Sequence, residues 1–218
     1  MLTHRPKAVI FDLDGLILDS EIIYRKAWKQ AAEDLGYCMN DEQYLRFLGL
    51  REVDCEMTLV ETYGSSFPLT DFLIRSDKLS QEYLKKHGIT IKPGVHELLN
   101  FLDARSIMTA IASSTGRDNI LSALGSLAGR FDVIVTGEDV TAGKPAPDIL
   151  LLCARLLKAE PRDCVVLEDS GVGVQAAHAA GMPVIIVPDL SQPSAHTVAK
   201  AASVCASLHD VTDLLTNL

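Results

Sequence analysis

Several features that define other classes of protein are missing from this sequence of 218 residues. No apolar run approaches the ~20 residues that a membrane-spanning helix needs. The N-terminus leads directly into a strand pattern without the apolar core of a signal peptide. No segment is low in complexity, so we expect no long disordered stretch. We therefore expect a folded cytoplasmic protein that has no membrane partner.

Cysteine pairs at metal-binding or redox spacing are also missing. The five cysteines are widely spaced and never occur as Cys-x-x-Cys. A disulfide framework or a zinc site needs ligands that converge, and this spacing does not indicate convergence. The six histidines do not form a ligand pair either, so we assign no histidine a catalytic role.

An excess of basic residues, the third missing feature, would favour a polyanionic partner. The chain has 29 acidic and 20 basic residues and a formal charge of -9. This balance disfavours nucleic acid as a partner over an extended surface. It leaves open a local basic pocket for a small anion. With 48% apolar residues, the chain can bury a sizeable core.

Short β-branched runs alternate with longer segments of helical period. This pattern is typical of an α/β fold, in which helices cover a parallel sheet. The runs are almost continuously apolar because strands of such a sheet are buried on both faces. The predicted strands are Lys7–Phe11, Ile107–Ala112, Asp132–Val135, Cys164–Leu167, Val184–Val187 and a weaker Ser203–Cys205.

The segment between the first two strands is much longer than a crossover connection requires. Its residues from Glu21 to His87 have a helical pattern, with Gly36 ending the first helix and Gly88 following the last. We predict an inserted all-helical cap domain at residues 16–91. The catalytic core then comprises residues 1–15 and 92–218.

Acidic residues follow two of the predicted strands. Asp12 and Asp14 are separated by one residue after the first strand, so both carboxylates can face one crevice. Gly15 allows a sharp turn and a close approach of the backbone to a ligand. Glu168 and Asp169 follow the fourth strand. Carboxylates brought together this way repel one another unless a cation compensates, and an all-oxygen set favours Mg²⁺ over zinc.

Two further segments offer groups that can bind phosphate. Ser113 and Ser114 precede a helical segment that begins near Arg117, where backbone N–H groups favour anions. Lys144 lies in Gly-Lys-Pro, which gives a stiff approach to the next helix. The alternative readings are a helix N-cap for the serines and a solvated surface charge for the lysine.

These four segments together resemble the motifs of the haloacid dehalogenase superfamily. The first motif is similar to Val9–Gly15, the second to Ser113, the third to Gly143–Pro145 and the fourth to Leu167–Ser170 with Gly173 following. The resemblance implies a Rossmann-like parallel sheet core with an inserted helical cap. It also implies a phosphatase that acts on a small phosphorylated metabolite.

The resemblance assigns a role to each matching residue. Asp12 would be the nucleophile that forms an aspartyl phosphate, and Asp14 the general acid and base. Ser113 and Lys144 would hold the phosphoryl oxygens. Mg²⁺ would be bound by Asp12, the backbone carbonyl of Asp14 and Asp169, with Glu168 in or near the coordination shell.

The predicted cap resembles that of the β-phosphoglucomutase and sugar-phosphate phosphatase branch. In this branch Arg51 and Glu21 are candidate substrate contacts, although each could instead act at a helix start. Tyr24 stands where β-phosphoglucomutases tend to carry histidine, which favours a phosphatase over a mutase. Tyr24 and Trp28 could line the pocket or pack in the cap. A sugar phosphomutase and a catalytically silent binding protein remain the alternatives, and a monomer is the default expectation.

Overall fold

A six-stranded sheet forms the centre of the protein. The structure, a computed structural model, describes Leu2 and residues 4–218. The strands are β1 (Ala8–Phe11), β2 (Met108–Ser113), β3 (Val133–Thr136), β4 (Cys164–Glu168), β5 (Val184–Ile186) and β6 (Ser203–Val204). Their order is β3-β2-β1-β4-β5-β6, and every neighbouring pair is parallel. The predicted α/β fold is confirmed.

Ten α-helices cover and extend this sheet within the described residues. They are α1 (Glu21–Asp34), α2 (Asp41–Leu45), α3 (Glu52–Tyr63), α4 (Leu69–His87), α5 (Val95–Ala104), α6 (Arg117–Leu124), α7 (Asp148–Leu156), α8 (Gly171–Ala179), α9 (Ala195–Val198) and α10 (Leu208–Thr216). Among the residues described, no helix is both long and apolar enough to cross a membrane.

The alternation of side chains along β1 divides the core between the two faces of the sheet. Val9 and Phe11 belong to one apolar cluster, with helices α5 and α10. Ala8 and Ile10 belong to a second cluster, with helices α7 and α8. All four residues are 0% exposed, as expected for a central strand covered by helices on both sides.

Helices α1 to α4 all lie between β1 and β2 in the chain and share a third apolar cluster. Aromatic rings dominate this cluster. The ring centroid of Trp28 lies 5.0 Å from that of Phe47, 5.3 Å from that of Phe72 and 6.1 Å from that of Tyr44. The inserted segment therefore has an apolar core of its own.

The two ends of the inserted segment lie side by side. An antiparallel bridge joins Leu18 to Ile91, and the amide of Asp19 donates to the carbonyl of Thr90 at 2.9 Å. Leu18 itself, with Leu16 and Ile17 before it, packs in the sheet's apolar cluster rather than with the helices. The domain bounds at residues 16–91 stay a prediction.

Candidate active site

The candidate site lies at the carboxyl ends of β1 and β4. These two strands are neighbours at the centre of the sheet, where the strand order reverses. Open parallel sheets bind ligands in the crevice that this reversal creates. Asp12 follows β1 directly, while Glu168 is the last residue of β4 and Asp169 comes next.

Lys144 joins the two strands electrostatically. Its ammonium donates to Asp12 Oδ1 and to Glu168 Oε1, each at 2.5 Å, although the side chain is only 2% exposed. Burial alone would lower the pKa of Lys144, but the two carboxylates outweigh burial and hold the pKa above its usual range. The lysine is therefore a buried cation and not a solvated surface charge.

Glu168 is fully engaged by its neighbours. While Oε1 accepts from Lys144, Oε2 accepts from the backbone amide of Ser170 at 3.0 Å and from its hydroxyl at 2.9 Å. Any Cβ at Gly173 would overlap the Glu168 carboxyl group. Glycine at the start of α8 therefore makes room for this carboxylate, and Glu168 fixes the position of Lys144.

Asp14 is held by two hydroxyl groups. Ser20 donates to Oδ1 at 2.5 Å and Thr115 donates to Oδ2 at 2.6 Å. Ser20 comes from the entry to α1, whereas Thr115 follows β2, so the Asp14 carboxyl group lies between the cap and the core. Neither hydroxyl was identified by the sequence analysis, because both contacts form only after the chain folds.

The carboxylates that could hold a metal ion are Asp12, Glu168 and Asp169. One oxygen from each lies within 4.8 Å of the others. Burial raises the pKa of Asp12 from 3.8 to about 8, and Glu168 adds to the rise while Lys144 opposes it. Burial followed by the charges of Glu168 and Asp12 also raises the pKa of Asp169. One ammonium does not balance three carboxylates, so the cluster suits a divalent cation.

Asp189 supplies a second indication of a cation. Its Oδ1 accepts from Lys92 at 2.5 Å, but its buried Oδ2 has no hydrogen-bond partner among the described residues. A Cβ placed on Gly15 would lie 3.3 Å from this oxygen and would also overlap Asp169. Asp189 Oδ2 therefore lies beside the acidic cluster, where a hydrated Mg²⁺ would offer it a donor.

Gly15 is needed at this point for two reasons. Its φ of +80° lies in the left-handed region, which residues with a Cβ rarely adopt. Its carbonyl also accepts from Lys92 at 2.8 Å, so the ammonium that binds Asp189 also fixes the turn after Asp14. The backbone at Gly15 passes close to Asp169 and Asp189, and its close approach to a ligand stays a prediction.

Ser113 and Ser114 lie at the same edge of the sheet. Ser113 is 1% exposed, and its hydroxyl accepts from the amide of Thr115 at 3.0 Å. Ser114 donates to the carbonyl of Gly49 at 3.0 Å, which ties the core to the cap. Both serines line the cavity described next, although Ser114 is already engaged by the cap.

A cavity of about 310 Å³ opens over Asp12, Asp14 and Asp169. We call its two sides the core wall (Asp12, Asp14, Ser113–Gly116, Asn119 and Asp169) and the cap wall (the lining residues that lie between Glu21 and Ser80 in the chain). Tyr24 and Trp28 lie on the cap wall, and both also pack against the aromatic cluster of the cap. The two rings therefore both line the cavity and pack in the cap, so the two alternatives given from the sequence do not exclude each other.

Glu21 lies on the cap wall, where only 8% of the residue is exposed. Tyr44 donates to its Oε2 at 2.7 Å. Burial raises the pKa of Glu21 from 4.5 to about 7, and the charge of Asp14 adds to the rise. A carboxyl group of this kind can accept hydrogen bonds from a substrate.

The structure does not bring Arg51 to this cavity. Its guanidinium donates to Asp54 at 2.9 Å and to the carbonyl of Thr141 at 2.9 Å. The side chain also packs over Gly143, where any Cβ would overlap it. Arg51 therefore connects the cap to the loop that carries Lys144, and a role in substrate contact stays a prediction.

The fold and the site together define a class. A parallel sheet whose first strand ends in Asp-x-Asp carries a buried lysine and a second acidic pair at the switch point, where open sheets of this kind bind ligands. The family model described as haloacid dehalogenase-like hydrolase matches residues 9–187. The chain belongs to this family, which confirms the resemblance found in the sequence.

Relatives within the family carry two kinds of name. The phosphorylated carbohydrates phosphatase of Thermotoga maritima is 36% identical, covering 81% of this chain and 82% of the relative. The β-phosphoglucomutase of Bacillus subtilis is 34% identical over a match that covers 81% of this chain and 80% of that relative. A hydrolase from Pseudomonas syringae superposes with a TM-score of 0.83 at 25% identity, covering 97% of this chain and 98% of that one.

Another relative is considerably longer than this chain. The bifunctional riboflavin kinase/FMN phosphatase of Arabidopsis thaliana is 33% identical over 93% of this chain, which spans only 54% of that protein. The similarity therefore concerns about half of the longer protein.

Proposed function

We propose that this protein is a Mg²⁺-dependent phosphatase that hydrolyses a small phosphate monoester through an aspartyl phosphate on Asp12. The observation that carries the proposal is the buried contact of Lys144 with Asp12 and Glu168 at the floor of the cavity. A buried ammonium beside a nucleophile and a general acid is more than binding alone requires, which argues against a silent binding protein.

In the first step, a carboxylate oxygen of Asp12 attacks phosphorus. Because Lys144 holds Oδ1, attack falls to Oδ2. The bond between phosphorus and the leaving oxygen breaks, and Asp14 transfers a proton to that oxygen, so the alcohol leaves uncharged. Lys144 and the Ser113 hydroxyl stabilise negative charge on the phosphoryl oxygens.

In the second step, Asp14 takes a proton from water. The hydroxide attacks phosphorus, the bond from phosphorus to the Asp12 oxygen breaks, and inorganic phosphate is released with the Asp12 carboxylate restored. Ser20 and Thr115 keep Asp14 in place for both transfers. The two steps together consume one water and one ester.

Asp12, Asp169 and the carbonyl of Asp14 would hold Mg²⁺, with Glu168 adjacent and Asp189 next to the shell. The bound ion supplies positive charge against the phosphoryl oxygens and the attacking carboxylate. The carboxylates themselves need such a charge, because Lys144 alone leaves two of the three uncompensated.

The cap wall would receive the alcohol part of the ester, such as a sugar or a nucleoside. Its contacts with the core, Ser114 to Gly49 and Arg51 to Thr141, form where the cap meets the core and would break if the cap opened. Opening and closing of the cap would then admit substrate and exclude bulk water.

Release of inorganic phosphate tests the proposal directly. A panel of sugar phosphates, nucleotides and p-nitrophenyl phosphate is assayed with Mg²⁺ or with a chelator, for the wild type, Asp12→Asn and the exposed control Asp213→Asn. We expect release that needs both Mg²⁺ and Asp12 and that the control variant retains.

Two other outcomes would replace the proposal. Isomerisation of a hexose phosphate that requires its bisphosphate, with little free phosphate, would establish the mutase alternative. No turnover of any substrate in either assay would favour a binding protein that keeps the fold.

A further inference from the structure

The lining of the cavity has no positive charge of its own, because Lys144 is buried beneath Asp12 and does not line the cavity. None of the described residues that line the cavity is lysine, arginine or histidine. Three acids lie on the cap wall instead, namely Glu21, Glu52 and Asp77. An anionic group placed here would meet like charges without a cation to compensate them.

The hydroxyl groups of the cap wall do not compensate for the missing cations. Ser76 and Ser80 lie one turn apart on α4, and both hydroxyls donate within the helix, to the carbonyls of Leu73 and Ser76 at 3.0 and 2.8 Å. The Tyr44 hydroxyl donates to Glu21. These three hydroxyls are already used, so a phosphate at the cap wall would meet acceptors together with the neutral donors of Tyr24 and Trp28, and no cation.

Arg51 lies between Leu50 and Glu52 of this wall in the sequence, and its guanidinium is occupied elsewhere. Asp54 neutralises its guanidinium, and the carbonyl of Thr141 accepts a further hydrogen bond. The remainder of the cap wall is apolar, with the rings of Trp28 and Phe47 beside Leu73. Such a surface suits a flat or apolar face, and Glu21 and Asp77 can accept hydrogen bonds from hydroxyl or amino groups.

Resting on the proposed phosphatase function, we propose that the cap wall selects monophosphates whose leaving group has no second anionic group. The substrate presents an apolar face to the rings and hydroxyl or amino donors to the acids. Sugar bisphosphates, nucleoside bisphosphates and phosphorylated carboxylic acids are excluded. The activator of a sugar phosphomutase, a bisphosphate, is excluded with them.

Matched substrate pairs test the selection. Fructose 1-phosphate is compared with fructose 1,6-bisphosphate, and uridine 5′-monophosphate with uridine 3′,5′-bisphosphate. For at least one pair that is turned over, we expect the kcat/KM of the monophosphate to exceed that of the bisphosphate by ~100-fold or more. Each tenfold difference corresponds to ~1.4 kcal/mol. Equal kcat/KM for both members of the pair would overturn the inference.

A charge change on α4 separates electrostatics from size. Asp77→Arg places a cation at the cavity, and Glu82→Arg makes the same change of charge on the same helix away from the cavity. Asp77→Arg should reduce the ratio of the kcat/KM of the monophosphate to that of the bisphosphate at least tenfold. Glu82→Arg should leave this ratio unchanged. Equal ratios in the two variants would show that charge at the cap wall does not select.

Binding distinguishes failure of this inference from failure of the proposed function. Calorimetric titration of Asp12→Asn with the same pairs measures selection without turnover. Tighter binding of the monophosphates would support the cap-wall inference even if no substrate of the panel is hydrolysed. Tighter binding of the bisphosphates would overturn it even if the enzyme is an active phosphatase.

Discussion

The core wall and the cap wall of the cavity differ in the kinds of side chain that they carry and in how these side chains are held. On the core wall, Asp14 and Ser113 are held by hydrogen bonds, and the neighbouring Lys144 and Glu168 are almost fully buried. On the cap wall, aromatic rings pack against one another, and the acids Glu21, Glu52 and Asp77 line the cavity without a basic partner among the lining residues. This difference supports our proposals that the core carries the reaction and that the cap wall selects the alcohol.

The largest effect should come from removing the buried cation of the core. Lys144→Met leaves two buried carboxylates without their partner, which costs ~3–5 kcal/mol. It should also lower kcat ~10³-fold, because charge on the phosphoryl group loses a donor. Urea unfolding with and without Mg²⁺, together with phosphate release, measures both effects. Lys85→Met replaces an exposed lysine on α4, and it should change neither the free energy of unfolding nor kcat by more than a small factor.

A large-to-small substitution in the aromatic cluster should destabilise the cap more than the sheet. Phe72 is 0% exposed, so Phe72→Ala should cost ~3–5 kcal/mol. Hydrogen exchange should speed up in α1 and α4 while amides of β1 and β2 keep their protection. Phe101→Ala, the same change at a partly buried site on α5, should leave exchange in the cap unaltered. If hydrogen exchange speeds up equally in the cap helices and in β1 and β2, the cap and the core unfold as one unit.

Glu21 should make the cap wall sensitive to pH. Its pKa is about 7 in the folded protein and 4.5 in the unfolded chain, so folding favours its protonated form. The stabilisation from Glu21 is complete below pH 4.5 and is lost as pH rises to 7, up to ~3 kcal/mol at ~1.4 kcal/mol per pKa unit. Relative to the wild type, Glu21→Gln should therefore gain stability between these pH values. Parallel curves of unfolding free energy against pH would contradict this expectation.

The smallest effect should be seen at the outer edge of the metal site. Asp189→Asn keeps the shape of the side chain but removes its charge, so Mg²⁺ should bind ~10-fold more weakly. Thermal unfolding at increasing Mg²⁺ concentration measures the apparent affinity without any assay of activity. Asp213→Asn, which changes an exposed carboxylate, is the matched control. Identical Mg²⁺ dependence in both variants would exclude Asp189 from the site.

The sheet and the residues at its strand ends could be predicted because their signals are local. Strands buried on both faces require continuous apolar runs, and each run that we predicted coincides with an observed strand to within two residues at either end. Asp12 and Asp14 were found because they directly follow such a run. Parallel strands then bring Asp169 to the same edge without any further assumption.

Most of the contacts that were missed join residues far apart in the chain, although Ser20 and Asp14 are only six residues apart. Thr115 reaches Asp14, and Asp189 reaches Lys92, only because the sheet places their loops together. Neither residue lies in a pattern that indicates its partner. Arg51 shows the converse, since a sequence position typical of a substrate contact does not determine which way a long side chain turns.

The adjacent ends of the inserted segment have a consequence for engineering. Leu18 and Ile91 form an isolated bridge outside the six strands, which holds the two ends of the inserted segment together where the cap departs. Loop-closure entropy grows only slowly with the number of residues in an insert, so the length of the cap has a small effect on the cost of bringing these two ends together. We expect that a different cap grafted between these two residues must still supply a hydroxyl in place of Ser20, which holds Asp14, and an acceptor in place of Gly49 for Ser114.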